Sequence, residues 1–346
     1  MRKRYWLGIA VSLLLVYLMA RSVELASVAR AFQEADFAFV LPAVLFYFAG
    51  VLVRTVRWGL LLRPVRRLGM KRLFVVLVVG FMANDVLPLR AGEAARAYLL
   101  WSKERLDPAA TVATIVVERI LDGLVLTGFL VGASLLIRLD SWLAQLAWVA
   151  GAVFLVAVVA VVALAVVPKQ LLALVDVVMA PFPARLRLLA RRVLEGFVEG
   201  LRTLRDFRLA IAALLLSVVA WGLEAGMYYV LMFSFPLPHR YLAAILGTAV
   251  ANLASMVPSS PGYVGTFDAG LLAVLVGSFR VDQSIGTAYT ALVHAALVLP
   301  VTLLGLLFLW REGLSLRRIA SQRVPSRGDP KDPSDRSEVA SRRSTP

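Results

Sequence analysis

From Trp142 to Val167 the chain runs without a single charged side chain and consists largely of Ala, Val and Leu. A helix needs about 20 apolar residues to cross a bilayer core, and this run exceeds that length. Neither it nor the other apolar runs alternate between polar and apolar residues, which excludes a membrane β-barrel. A helix also satisfies its own backbone polar groups, the condition lipid imposes on any spanning segment. Over the 346 residues 60% are hydrophobic and 17% charged, a balance that makes the whole chain a polytopic all-α membrane protein.

Spans are expected at Tyr5–Ala20, Phe37–Val53, Ala109–Ile137, Trp142–Val167, Leu209–Phe235 and Ser284–Trp310, about six full transmembrane helices. Met1-Arg2-Lys3-Arg4 ahead of Tyr5–Ala20 has the charged and apolar parts of a signal peptide. No small-residue cleavage site follows, so a retained signal anchor is expected. Arg21–Asp36 reads as a polar connection. After the second span come Arg54, Arg57, Arg63, Arg66, Arg67, Lys71 and Arg72 with no acid between them. The positive-inside rule places that loop, and with it both termini, on the cytoplasmic side of the cytoplasmic membrane. The net charge of +15 therefore answers to topology and anionic lipid, not to nucleic acid. Within Ala184–Phe207, Leu, Val and Phe recur at three- and four-residue spacing, the pattern of an amphipathic helix on the inner surface. Residues 1–310 form the transmembrane domain; 311–346, rich in Ser, Pro, Asp and Arg, read as a disordered basic cytoplasmic tail.

Two stretches break the pattern. The apolar run Leu73–Met82 is too short to span, and Asn84-Asp85-Val86-Leu87-Pro88-Leu89-Arg90-Ala91-Gly92-Glu93-Ala94-Ala95-Arg96 follows it. Tyr241–Val257 runs into Pro258-Ser259-Ser260-Pro261-Gly262, with a second short arm at Val264–Phe279. Lipid tolerates broken, charged backbone only where it is buried in protein or lines a watery cavity. Both breaks share an Asn followed by Pro-x-x-x-Gly, and each sits in a set of two spans, a broken hairpin and one more span. The expected architecture is therefore two re-entrant helical hairpins in an inverted repeat, with halves of roughly 1–137 and 141–310. Paired interrupted segments of this kind point to a transporter's binding site.

The candidate substrate-binding residues follow from the breaks. Half-helix N-termini after Gly92 and Gly262 would aim free N–H groups at an anion, flanked by Asn84, Asn252, Ser259 and Ser260. Arg90 and Arg96 are suited to phosphoryl oxygens. Glu93 sits in the first turn after the break. Glu118 and Asp122 share a helix face, with Arg119 about 100° away. Ionisable groups near a span centre cost about 2.5–3.5 kcal/mol each, so these should face the interior and find partners. Glu224 is either a proton-coupled carboxylate or a partner for Arg119. His294 is expected to be a hydrogen-bonded packing residue. With two histidines, no cysteine and no His-Glu-x-x-His, the usual zinc sites and thiol chemistry are excluded. No metal, cofactor or catalytic residue is expected, and the chain reads as a non-enzyme.

Arg57-Trp58, Asn84-x-x-x-Pro88-x-Arg90-Ala91-Gly92-Glu93-x-x-Arg96, Glu118-Arg119-x-x-Asp122 and Pro258-x-x-Pro261-Gly262-x-x-Gly265 together resemble the flippase-like membrane family. That family includes the N-terminal transmembrane part of lysylphosphatidylglycerol synthases. The resemblance covers nearly the whole chain up to Trp310. It implies movement of an anionic phospholipid or a polyprenyl-phosphate-linked lipid across the cytoplasmic membrane, with Arg90 and Arg96 holding the phosphate. The alternative is a non-transporting accessory subunit of a lipid synthase or polyprenyl-phosphate glycosyltransferase. A homo-oligomer or a lipid-synthase partner fits either reading. No aminoacyltransferase segment follows Trp310 in this sequence, so lipid lysinylation is not expected. The family's last motif carries Glu where this chain has Asp268.

Overall fold

The computed structural model describes residues 25–87, 91–136, 141–167, 173, 176–256 and 260–311, and among them there is no β-strand. The expected first span, Tyr5–Ala20, and the tail lie outside the described residues.

Eleven helices are needed to place the site. They are α1 (Leu25–Gln33), α2 (Val40–Leu62), α3 (Met70–Val86), α4 (Ala91–Glu104), α5 (Pro108–Ser134) and α6 (Ser141–Val166). After them come α7 (Ala184–Gly200), α8 (Phe207–Met232), α9 (Tyr241–Ala254), α10 (Thr266–Ala273) and α11 (Gln283–Arg311). Four stretches are long and apolar enough to cross a membrane: Phe37–Leu62, Ser141–Val166, Phe207–Met232 and Gln283–Arg311. The 27-residue α5 is as long, but carries Glu118, Arg119 and Asp122. By contrast α3 and α9, with 17 and 14 residues, rise only about 26 and 21 Å.

Two sequence expectations need correction. The second span does not stop at Val53: α2 continues to Leu62, and Arg54 and Arg57 lie inside it as buried residues. These arginines belong to the core, and the basic loop starts at Arg63. The connection Arg21–Asp36 is not simply polar, because Leu25–Gln33 is helical and packs on α11.

Helix ends follow local chemistry. Asp107 accepts the Ala109 N–H at 2.8 Å and Pro108 occupies the first turn of α5. Asp206 caps α8 through the N–H groups of Arg208 and Leu209. α2 and α8 pack against each other most extensively. Around them the main core gathers Trp58, Leu77, Met82, Leu100, Tyr228 and Tyr289, all fully buried. α6 stands at the edge, packed on α5, and turns Trp148, Leu155, Val156 and Val159 outward as a lipid-facing band.

α3 and α4 form an antiparallel pair. Their distal ends meet where Arg72 contacts Glu104 at 3.0 Å, and their proximal ends meet at the break, where the Gly92 N–H donates to Asn84 Oδ1 at 2.8 Å. A Cβ on Gly92 would lie 2.6 Å from Asn84 Oδ1 and still closer to the Gly80 carbonyl. Only glycine permits this approach of one backbone to another. Gly92→Ala is therefore expected to lower thermal stability in detergent by about 1–3 kcal/mol. Gly128→Ala, where an added Cβ meets nothing within 4 Å, should leave the unfolding temperature unchanged or slightly raised. Equal behaviour of the two variants in a thermal-shift assay would contradict this packing.

Candidate functional site

The deepest charges of the fold lie together. Arg57, fully buried on α2, donates to Asp122 of α5 and to Ser217 Oγ of α8 at 2.7 Å, and reaches Glu118 of α5 at 3.2 Å. Arg96 of α4 donates to the other oxygen of Glu118 at 2.5 Å, and its guanidinium lies 3.8 Å over the Trp58 ring. Trp58 in turn donates to Thr114 Oγ1 at 3.2 Å, and Trp221 Nε1 donates to Asp122 at 3.0 Å. The same-face spacing of Glu118 and Asp122 thus does what the sequence suggested, presenting both carboxylates inward. Their principal partner, Arg57, lies in α2 and not in the basic loop where local composition puts it.

A second pair sits beside this cluster. Arg54 of α2 bonds Glu224 of α8 at 2.7 Å, over the Trp221 ring at 4.6 Å. Asn252 of α9 donates to the other oxygen of Glu224 at 3.1 Å. Glu224 is paired, and its partner is Arg54, not Arg119.

Arg119 differs from the other arginines. Its side chain keeps 35% exposure and its contact with Asp122 is a loose 3.6 Å. In the cluster the guanidiniums of Arg57, Arg96 and Arg119 pair with Glu118 and Asp122, and the Glu93 carboxylate also acts on Arg96 and Arg119 from the first turn of α4. Arg119 is the most exposed of the three. Arg96, 2% exposed and fixed between Glu118 and Trp58, is not the accessible arginine.

Arg119 opens into a cavity of about 140 Å³. Its wall also includes Asn84 and Asp85 of α3, Arg54, Asn252, and Gly262 with His294 from the other half. Asp85 accepts from Thr302 Oγ1 at 2.8 Å and makes no ion pair among the described residues. The two breaks touch: a Cβ on Gly262 would lie 3.5 Å from the Asp85 carbonyl. They meet level with the middle of the long helices that supply Arg54, Asp122, Glu224 and His294.

The second break is held from α11. Gly262 and Tyr263 have φ of 69° and 59°, and Gly265 has 91°. For Tyr263 that left-handed conformation costs about 1–2 kcal/mol. His294 bonds Asp268 at 2.6 Å through Nδ1 and the Gly262 carbonyl at 2.7 Å through Nε2. Asp268 also accepts the Gly265 N–H at 2.8 Å, capping α10.

Of the candidate residues, Asn84, Arg119, Asp122, Glu224, Asn252 and Gly262 line the cavity. Glu118 and Arg96 stand behind its wall, while Gly92 and Asp268 shape the breaks. Glu93 is half-buried in the first turn of α4, and Ser260 bonds backbone carbonyls within the second break. Arg90 and Ser259 lie outside the described residues. Sequence reasoning missed Arg54 and Arg57 as site residues; the signal available was Arg57-Trp58 itself. Tyr47, also on the wall, gives no sequence signal beyond its place in a span.

A 279-residue match at 28% identity joins the chain to a UPF0104 membrane protein of Methanothermobacter thermautotrophicus, covering 75% of this chain and 81% of that one. A 321-residue match at 24% identity joins it to Glycosyltransferase AglD of Haloferax volcanii. That match takes in 83% of this chain and only 51% of the relative, so the chain spans about half of that protein's length. The family model described as the lysylphosphatidylglycerol synthase TM region matches residues 5–305, and the chain belongs to that family.

Proposed function

We propose that the chain moves a lipid with a phosphate-bearing head group across the cytoplasmic membrane. The observation that carries the reading is Arg119: a guanidinium 35% exposed, held by Asp122 at a loose 3.6 Å, on the wall of a polar cavity at mid-span depth. A charged group held there is costly unless something charged uses it. The cavity has room for a head group and not for acyl chains, which would stay in lipid. Arg119 is the phosphate ligand, and the unpaired Asp85 across the cavity faces the remainder of the head group.

The same reading takes α3–α4 and α9–α10 as re-entrant hairpins of an inverted repeat. Contacts between helices correspond pair by pair when α2, α3, α4 and α5 are exchanged for α8, α9, α10 and α11. α3 packs on α11 as α9 packs on α5, and α2 on α3 as α8 on α9. Arg96–Glu118 joins α4 to α5 where Asp268–His294 joins α10 to α11. Hairpin ends joined by Arg72–Glu104, with Arg63, Arg66 and Arg67 nearby, belong on the cytoplasmic side. The protein acts without a catalytic step of its own. A second reading, an accessory subunit for a polyprenyl-phosphate glycosyltransferase, draws on the similarity to the Haloferax glycosyltransferase AglD.

Reconstituted into liposomes, the protein is expected to speed leaflet exchange of an anionic phospholipid. Arg119→Ala should abolish that exchange while the unfolding temperature stays near that of the parent. Arg57→Ala should instead destabilise the fold by about 3–5 kcal/mol, because it strands Asp122 and part of Glu118 without their cation. Exchange by Arg119→Ala at the parental rate would sink the phosphate-ligand assignment. Absence of exchange for every phospholipid tested, with a glycosyltransferase co-purifying, would favour the accessory reading. The cysteine-free chain gives a topology test as well. A single cysteine at the exposed Ala94 should react with a small reagent from the cytoplasmic side, and reaction only from outside would make α3 a full span.

A further inference from the structure

The His294–Asp268 pair contains a proton that ordinary ionisation states do not supply. A carbonyl oxygen only accepts, so the bond from Nε2 to Gly262 requires Nε2–H. The 2.6 Å contact between Nδ1 and Asp268 requires a second proton, either as imidazolium against carboxylate or as neutral imidazole against carboxylic acid. A neutral imidazole facing an ionised Asp268 has one N–H and two acceptors. It must give up one of the two contacts.

Both contacts hold the second break. One grips the Gly262 carbonyl, at a left-handed turn, and the other grips the carboxylate that caps α10 through the Gly265 N–H. We propose that His294–Asp268 is a proton-binding site whose occupancy fixes the second break against α11, so that movement of the head group is coupled to proton binding and release.

The surroundings support a titrating pair over an inert one. Glu224 is already neutralised by Arg54, and Asp122 by Arg57 with Arg119 beside it. Around the imidazole this leaves Asp268 from α10 and Asp85 from α3 as the carboxylates without a permanent cation. Tyr47 of α2, Tyr263 of the break and the buried Tyr228 of α8, against Phe267, are the tyrosines on this side. α1, also packed on α11, adds the apolar Val28, Ala31 and Phe32 to the core. The pair keeps 13–14% exposure at the cavity, so water there can accept the proton, and Asp85 is placed to receive it next. On release, the N–H or O–H bond that held the shared proton breaks, leaving neutral imidazole and carboxylate; no other bond changes. The proton is bound on the acid side of the pair's midpoint and lost as pH rises through it. The break is thus fixed at low pH and released at high pH.

This inference rests on the transport reading for its consequence but not for its measurement. The chain has two histidines, and His239 is stacked on Phe233 at 4.2 Å, away from the cavity. In His239→Asn protein in lipid nanodiscs, ¹⁵N NMR of the one remaining histidine should show Nε2 protonated and Nδ1 sharing a proton with Asp268 at low pH. That signature should disappear as pH rises, and be absent in Asp268→Asn. A nitroxide on a cysteine at the exposed Val264 should change its spectrum over the same pH range, and the change should vanish in His294→Gln. An Nδ1 without a shared proton at every pH, or a break probe that ignores pH, would overturn the proton site. In liposomes a pH gradient should alter the exchange rate of the parent and not of His294→Gln. Exchange indifferent to the gradient would remove the coupling while leaving the transporter. Proton binding with no exchange of any lipid would leave the switch and remove the transporter.

Discussion

One fully buried guanidinium, that of Arg57, ties three helices to one another. It reaches Asp122 and Glu118 on α5 and Ser217 on α8 from its own place on α2. Lipid offers no solvation to replace any of these partners, so none can be lost without stranding a charge. The constraint passes outward through Glu118 to Arg96 and so fixes α4, and through Asp122 to Trp221. Arg119 is the arginine of this cluster held most loosely, 3.6 Å from Asp122 at the cavity edge.

The spans were legible because hydropathy is a local property. α5, α6, α8 and α11 begin and end within a few residues of the apolar runs that announce them. The end of α2 was not legible. Arg54 and Arg57 stand at the head of a basic run, and local composition cannot tell the last turns of a span from the loop beyond it. What distinguishes them are partners 170 and 65 residues away, Glu224 and Asp122. α1 was hidden for the same reason, since a nine-residue helix depends on its contact with α11.

Within the site, the sequence named Asn84, Arg119, Asp122, Glu224, Asn252 and Gly262 on the wall and misassigned the pairing. Glu118 and Asp122 could be placed on one face from spacing alone, yet which arginine neutralises each follows only from helix packing. Arg96 looked available because it sits one turn beyond a break. It is in fact buried under Trp58, and of these two it is Arg119, which spacing turned away from the two acids, that reaches the cavity. His294 was expected to be a hydrogen-bonded residue, and it is. Its two acceptors, both in the second break, could not be read from the residues around it.

On the duplicated reading, Arg96–Glu118 and Asp268–His294 occupy matching places with their charges reversed. The difference is chemical as well as geometric. A guanidinium stays protonated at any accessible pH, so the α4–α5 link is permanent. An imidazole can lose its proton, so the α10–α11 link is conditional. On the proposed reading the two hairpins have unequal freedom: one is a fixed wall of the cavity, and the other lets go of its helix when the proton leaves. A transporter needs such an asymmetry, since two equally fixed breaks would hold a head group without passing it on.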